Sequence, residues 1–110
     1  MTEHQIQVSF IAWCKKHYSE VLVWATPNGG HRHPTVAAKL KAEGVLAGVP
    51  DLFVADGRPG LFIELKTATG RLSEAQKTMI EKLNTAGYPV AVCYGLDEAK
   101  KAFINYLESK

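Results

Sequence analysis

Apolar residues recur at helical spacing near the start of the chain. Ile6, Phe10, Trp13 or Cys14, and Tyr18 share one face, so the spacing predicts an amphipathic helix over 3–18. Thr2 followed three residues later by Gln5 spells a capping box and marks its start. Val21 to Ala25 is a β-branched and aromatic run of strand length, and the Pro27-Asn28-Gly29-Gly30 cluster breaks it. A short helix is expected over 34–43, with Pro34 in its first turn and Gly44 just past its end. Leu52 to Ala55 and Leu61 to Leu65 read as two apolar strands. The Asp56-Gly57-Arg58-Pro59-Gly60 turn between them makes an antiparallel hairpin. Ser73 opens a further helix that carries Met79, Ile80 and Leu83 on one face and stops at Gly87. Val90 to Tyr94 is another strand. A last helix over 97–107 presents Ala102, Phe103, Tyr106 and Leu107.

The element order is therefore α-β-(α)-β-β-α-β-α. A strand, a helix and a further strand imply a crossover, so the expected fold is α/β, a mixed sheet flanked by helices. No repeat, low-complexity tract or linker interrupts the pattern, and residues 1–110 read as a single domain. The Met-Thr-Glu-His-Gln start has an early acid and no apolar core, so no secretory signal and a cytoplasmic location are expected. No apolar run approaches the roughly 18 residues that span a bilayer.

Composition narrows the class only a little. With 46% hydrophobic and 22% charged residues in 110, this is ordinary globular composition. It excludes a disordered tail, a membrane protein and a large multi-domain enzyme. A net charge of +2 is too small for a protein that holds nucleic acid by charge alone. Arg32, Lys39 and Lys41 gather beside His31 and His33, which suits either a solvated face or phosphate contacts. The histidine pair reads as solvated rather than zinc-binding. Cys14 and Cys93 have neither metal-ligand spacing nor the pattern of a disulfide framework. Trp13 and Trp24 read as core residues rather than as platforms for stacked bases.

The chemistry-bearing stretch is Gly48-Val49-Pro50-Asp51, then Glu64-Leu65-Lys66. Side chains of a strand alternate between faces, so Phe62, Glu64 and Lys66 point opposite to Leu61, Ile63 and Leu65. A carboxylate and an amine at the end of an apolar strand are costly unless paired or bound to a metal. Pairing across the hairpin lands Asp51 near Glu64 to Lys66, and one register puts both carboxylates on one face. The register stays open at this point, because the turn can carry a bulge. Two close carboxylates suit Mg²⁺, which takes hard oxygen ligands and polarises a phosphoryl oxygen. A neighbouring lysine offsets transition-state charge. Spacing alone also admits a plainer reading, with Glu64 and Lys66 as a surface ion pair and Asp51 capping a turn.

Gly48-x-Pro50-Asp51-Leu52 followed by Phe62-Ile63-Glu64-Leu65-Lys66 resembles the PD-(D/E)XK nuclease signature. Gly70-Arg71-Leu72-Ser73-x-x-Gln76, then Leu83 and Gly87, resembles the VRR-NUC (virus-type replication–repair nuclease) branch, small stand-alone phage or bacterial type. Pro27 to Gly30 and Lys39 to Gly44 fit the same pattern, and the likeness runs from Glu3 to about Tyr94. The resemblance implies a restriction-endonuclease-like α/β fold and Mg²⁺- or Mn²⁺-dependent phosphodiester hydrolysis that leaves a 5′-phosphate. Asp51, Glu64 and the Leu65 carbonyl would ligate the metal, and Lys66 would be the catalytic lysine. Gln76 would serve the site, although with Ser73 it also spells a capping box. The family's acid on the first helix matches Glu3, with Glu20 as the alternative. Asn28, His31, Arg32 and Lys39 are the expected DNA contacts. Stand-alone members resemble Holliday-junction resolvases, so a homodimer acting on four-way junctions is expected. A flap nuclease, an exonuclease, a restriction-type enzyme or a non-catalytic DNA-binding module are the alternatives.

Overall fold

The structure, a computed structural model, describes residues 1–27 and 33–109. Helix α1 (Glu3–His17) leads into strand β1 (Leu22–Ala25), and α2 (Pro34–Ala42) follows. The hairpin β2 (Leu52–Ala55) and β3 (Leu61–Lys66) comes next, then α3 (Glu74–Thr85), β4 (Val90–Tyr94) and α4 (Leu96–Glu108). Each element lies within a residue or two of where the pattern of apolar positions sets it. Among the described residues the strands form one mixed sheet in the order β1-β2-β3-β4. The first three strands pair antiparallel, and α3 carries the chain across so that β4 runs parallel to β3. No helix is long and apolar enough to cross a membrane among the described residues.

Local chemistry explains the boundaries. Thr2 and Gln5 form the expected capping box, with the Thr2 hydroxyl accepting from Gln5 N–H at 3.1 Å. Lys15, Lys16 and His17 fill the last turn of α1, where cations complement the helix dipole. Pro34 opens α2, and His33 caps it by accepting the Thr35 N–H on Nδ1 at 3.2 Å. Arg58, in the hairpin turn, donates to the Tyr106 carbonyl at 2.8 Å and lies over the Tyr106 ring. That contact ties the turn to the C-terminal end of α4.

The core lies on one face of the sheet. Leu52, Val54, Leu61, Ile63, Leu65 and Cys93 meet Ile6, Phe10 and Cys14 of α1 and Ala99 and Phe103 of α4. Phe103 is the hub, with its ring edge-on to Phe10, Trp13 and Tyr18 at 5.1–5.8 Å. Helix α3 lies against β4 on the opposite face, and its apolar residues Met79, Ile80 and Leu83 are half-buried there. Trp24 departs from the core reading. It is 45% exposed, since β1 is an edge strand and Trp24 alternates away from the face that α1 and α4 cover. Trp13 does pack against the core.

Candidate active site

The hairpin register decides what meets at the end of the sheet. Leu52 stands opposite Ile63 and Phe53 opposite Phe62, so the next step sets Asp51 opposite Glu64. Directly opposed residues share a face, and this is the register that brings both carboxylates together. Three contacts hold Asp51. Its carboxylate accepts the Leu65 N–H at 2.7 Å. Its carbonyl accepts the Thr26 N–H at 2.8 Å, just beyond β1. Pro50, fully buried, fixes the backbone immediately before it.

Glu64 is 1% exposed, on the face opposite the apolar core. Burial, with the like-charged Asp51 beside it adding to the effect and Lys66 pulling the other way, pushes its carboxyl up to about 9. With no cation bound, Glu64 therefore holds a proton at neutral pH. Glu64 Oε2 accepts from Gln76 Nε2 at 3.4 Å. Oε1 is buried and has no hydrogen-bond partner among the described residues. A buried carboxylate oxygen left unsatisfied is costly, and such exceptions mark places that an ion or water completes. Hard oxygen donors with one unused buried lone pair fit a divalent cation such as Mg²⁺ or Mn²⁺.

Gln76 makes two contacts at once. Its Oε1 accepts the Ser73 N–H at 2.8 Å and closes the α3 capping box, while its Nε2 reaches Glu64. The start of α3 is thus locked to the carboxylate pair. Lys66, 8% exposed, ends β3 two residues beyond Glu64 on the same face, and its carbonyl accepts the Gly95 N–H. Leu65 contributes its N–H to Asp51.

Glu3 lies in the first turn of α1, exposed, and near enough that its charge raises Glu64. Among the described residues no group of three or more acid, His or Cys side chains stands at metal-binding spacing, so Glu3 does not gather with Asp51 and Glu64 into one cluster. Glu20 is exposed in the turn after α1, and its charge is not among those acting on Glu64. Lys39 is exposed on α2, a helix that buries none of its residues. Asn28, His31 and Arg32 lie outside the described residues.

Gly48 is a site residue that spacing did not explain. Its φ is +81°, and a Cβ there would strike the backbone of Ala75 and Gln76 at the start of α3. The glycine lets the segment leading to Asp51 pass directly beneath the helix that delivers Gln76. The signal for it was present in Gly48-x-Pro50-Asp51, but only the contact with α3 gives it a cause.

Comparison with known proteins identifies the family and the fold. The family model for the VRR-NUC domain matches residues 1–97. A solved structure named VRR_NUC domain protein superimposes with a TM-score of 0.78 at 30% identity, over 98% of this chain and 89% of that one. Another, named VRR_NUC domain, superimposes with a TM-score of 0.63 over 96% of this chain and 99% of that one. At 21% identity this second likeness is one of fold. A search of the curated proteins finds no match.

Proposed function

The chain belongs to the VRR-NUC family, nucleases of the PD-(D/E)XK type, and from that premise we propose a divalent-cation-dependent endonuclease that cuts structured DNA. Its preferred substrate in this reading is the four-way junction, cut by a homodimer in the cytoplasm of a bacterium or phage-infected cell. The observation that carries the reading is the Asp51–Glu64 pair, facing away from the apolar core, with Glu64 buried and its Oε1 unsatisfied among the described residues.

Asp51 and Glu64 would hold Mg²⁺ or Mn²⁺, with the Leu65 carbonyl beside them. Bound there, the cation polarises a phosphoryl oxygen and acidifies a water. The remaining work falls to this chain's own groups. Leu65 N–H and Gln76 Nε2 fix the orientation of the two carboxylates. Lys66, on the same face, places a positive charge where negative charge builds on a phosphate under attack. The low solvent exposure around Glu64 and Lys66 strengthens both interactions. A two-fold dimer supplies two such sites for two strands of a symmetric junction.

The test is incubation with labelled four-way, flap and linear duplex DNA, with and without Mg²⁺, after sizing by light scattering. The reading expects a dimer, paired nicks in the junction, and loss of cutting in chelator and in Asp51→Asn. Junction cleavage that persists in Asp51→Asn would show that the metal site is misassigned. Cutting of flaps alone by a monomer would replace the junction reading. Tight binding without any cutting would mark a binding module.

A further inference from the structure

The sheet face that carries the carboxylate pair also carries a row of aromatic rings. Trp24, Phe53 and Phe62 are cross-strand partners in register, and Tyr88 continues the line just before β4. Successive ring centroids lie 4.9, 4.5 and 6.0 Å apart. The row is not core. The core helices α1 and α4 cover the other face, and both ends of the row are open, with Trp24 45% and Tyr88 41% exposed. Phe53 is seated over Gly60, where any Cβ would run into its ring. The ring is thus laid along the sheet surface.

Position gives the row a use. Phe53 is two residues from Asp51 on β2, and Phe62 is two residues from Glu64 on β3. Two residues of strand span about 7 Å, so the rings begin one side-chain step from the carboxylates. That is the reach from a phosphate to a base of the same or the next nucleotide. Trp24 stands at the same end of β1, two residues before the Thr26 N–H that holds Asp51.

We infer that this row is a stacking platform for unpaired nucleobases beside the scissile phosphate, with Trp24 as its principal contact. The inference rests on the nuclease reading of the same face. Aromatic rings accept any base by its π-face, and that face is free only where bases are unpaired. A second copy of the chain seated on the row would close the approach to Asp51 and Glu64, so a strand of nucleic acid is the occupant that leaves the site usable. The chain therefore acts where the bases beside the cut are unpaired, as at the opened centre of a four-way junction or at a flap.

The test uses the full chain, with fluorescence anisotropy of a short labelled oligothymidylate in chelator, where no cutting occurs. Trp24→Ala is expected to weaken binding by roughly 5- to 100-fold, the usual worth of one base–aromatic stack. Trp24→Phe keeps most of it, and circular dichroism checks that both variants fold. Replacing the thymines by abasic residues weakens wild type more than it weakens Trp24→Ala. Equal binding by wild type and Trp24→Ala overturns the inference. So does an abasic strand that binds wild type as tightly as oligothymidylate, since only phosphates are then read. So does an equal dependence on Trp24 for fully paired duplex. Dissociation of a dimer in Trp24→Ala with oligothymidylate binding unchanged assigns the face to a second copy instead. If wild type ignores oligothymidylate but cuts DNA in Mg²⁺ while Asp51→Asn does not, the platform fails and the nuclease reading stands.

Discussion

Removing the charge of Glu64 without changing its shape separates what the fold needs from what the chemistry needs. In chelator the Glu64 carboxyl, pushed up to about 9 by burial and by Asp51, keeps its proton when folded. The unfolded chain releases that proton near the ordinary value of 4.5. Over the window between these values the folded state binds the extra proton, so this group's stabilising contribution is largest below 4.5 and is lost as pH rises toward 9. One proton of difference corresponds to a slope of about 1.4 kcal/mol per pH unit. Glu64→Gln retains the shape and cannot titrate, so it should lack that slope. Urea unfolding of both proteins in chelator, at about pH 6 and about pH 8, reads the difference directly. Wild type should lose stability relative to Glu64→Gln by up to about 3 kcal/mol between those two conditions. Saturating Mg²⁺ or Mn²⁺ should then restore wild type, by about 2.7 kcal/mol at a hundredfold excess over Kd, and leave Glu64→Gln little changed. Identical pH slopes in the two proteins, or an identical response to the cation, would refute the reasoning.

Other outcomes follow from particular contacts. Phe103→Ala should cost about 3–5 kcal/mol in thermal or urea unfolding, because it removes the ring that Phe10, Trp13 and Tyr18 all pack against. Gly48→Ala should cost about 1–2 kcal/mol for its left-handed backbone alone. The clash with Ala75 and Gln76 adds to that, so cleavage should fall along with stability. Ser73→Ala should cost about 1 kcal/mol through loss of the α3 cap, while Gln76 still reaches Glu64 and keeps cleavage near wild type. Burial pushes the thiols of Cys14 and Cys93 up to about 11. Both should resist a thiol reagent at neutral pH until the protein is unfolded, as a colorimetric thiol assay in native and denaturing buffer will show.

Elements were legible wherever local rules decide them. The two capping boxes, Pro34 and the turn at 56–60 each act through residues close in sequence, and all are in place. Phe10 and Phe103 were readable as core because helix periodicity exposes a buried face. Trp24 was not, because its alternation in β1 is the same whichever face the helices cover. The depth of burial of α3 is not legible for a similar reason, since periodicity shows an apolar face but not how much lies above it. At the site, Asp51, Glu64 and Lys66 stood out by type and spacing. Their meeting depended on a hairpin register that turn length alone leaves open by one residue. The double use of Gln76 was visible as two readings of one residue, and the geometry joins them. The place of Glu3 depends on how α1 sits against the sheet, which no local rule specifies. The unsatisfied Glu64 Oε1 is a property of packing and has no counterpart in the sequence.

The central claim is that Asp51 and Glu64 form a cation-dependent phosphodiester-cleaving site. Asp51→Asn tests it most directly, because asparagine can still accept the Leu65 N–H and keep the hairpin end in place. The measurement is the initial rate of cleavage of a labelled four-way junction in Mg²⁺ by wild type and by Asp51→Asn, with folding of both checked by circular dichroism. The account predicts cutting by wild type that stops in chelator, and a folded variant that does not cut. Equal rates in the two proteins, or wild-type cutting undiminished by chelator, would contradict it.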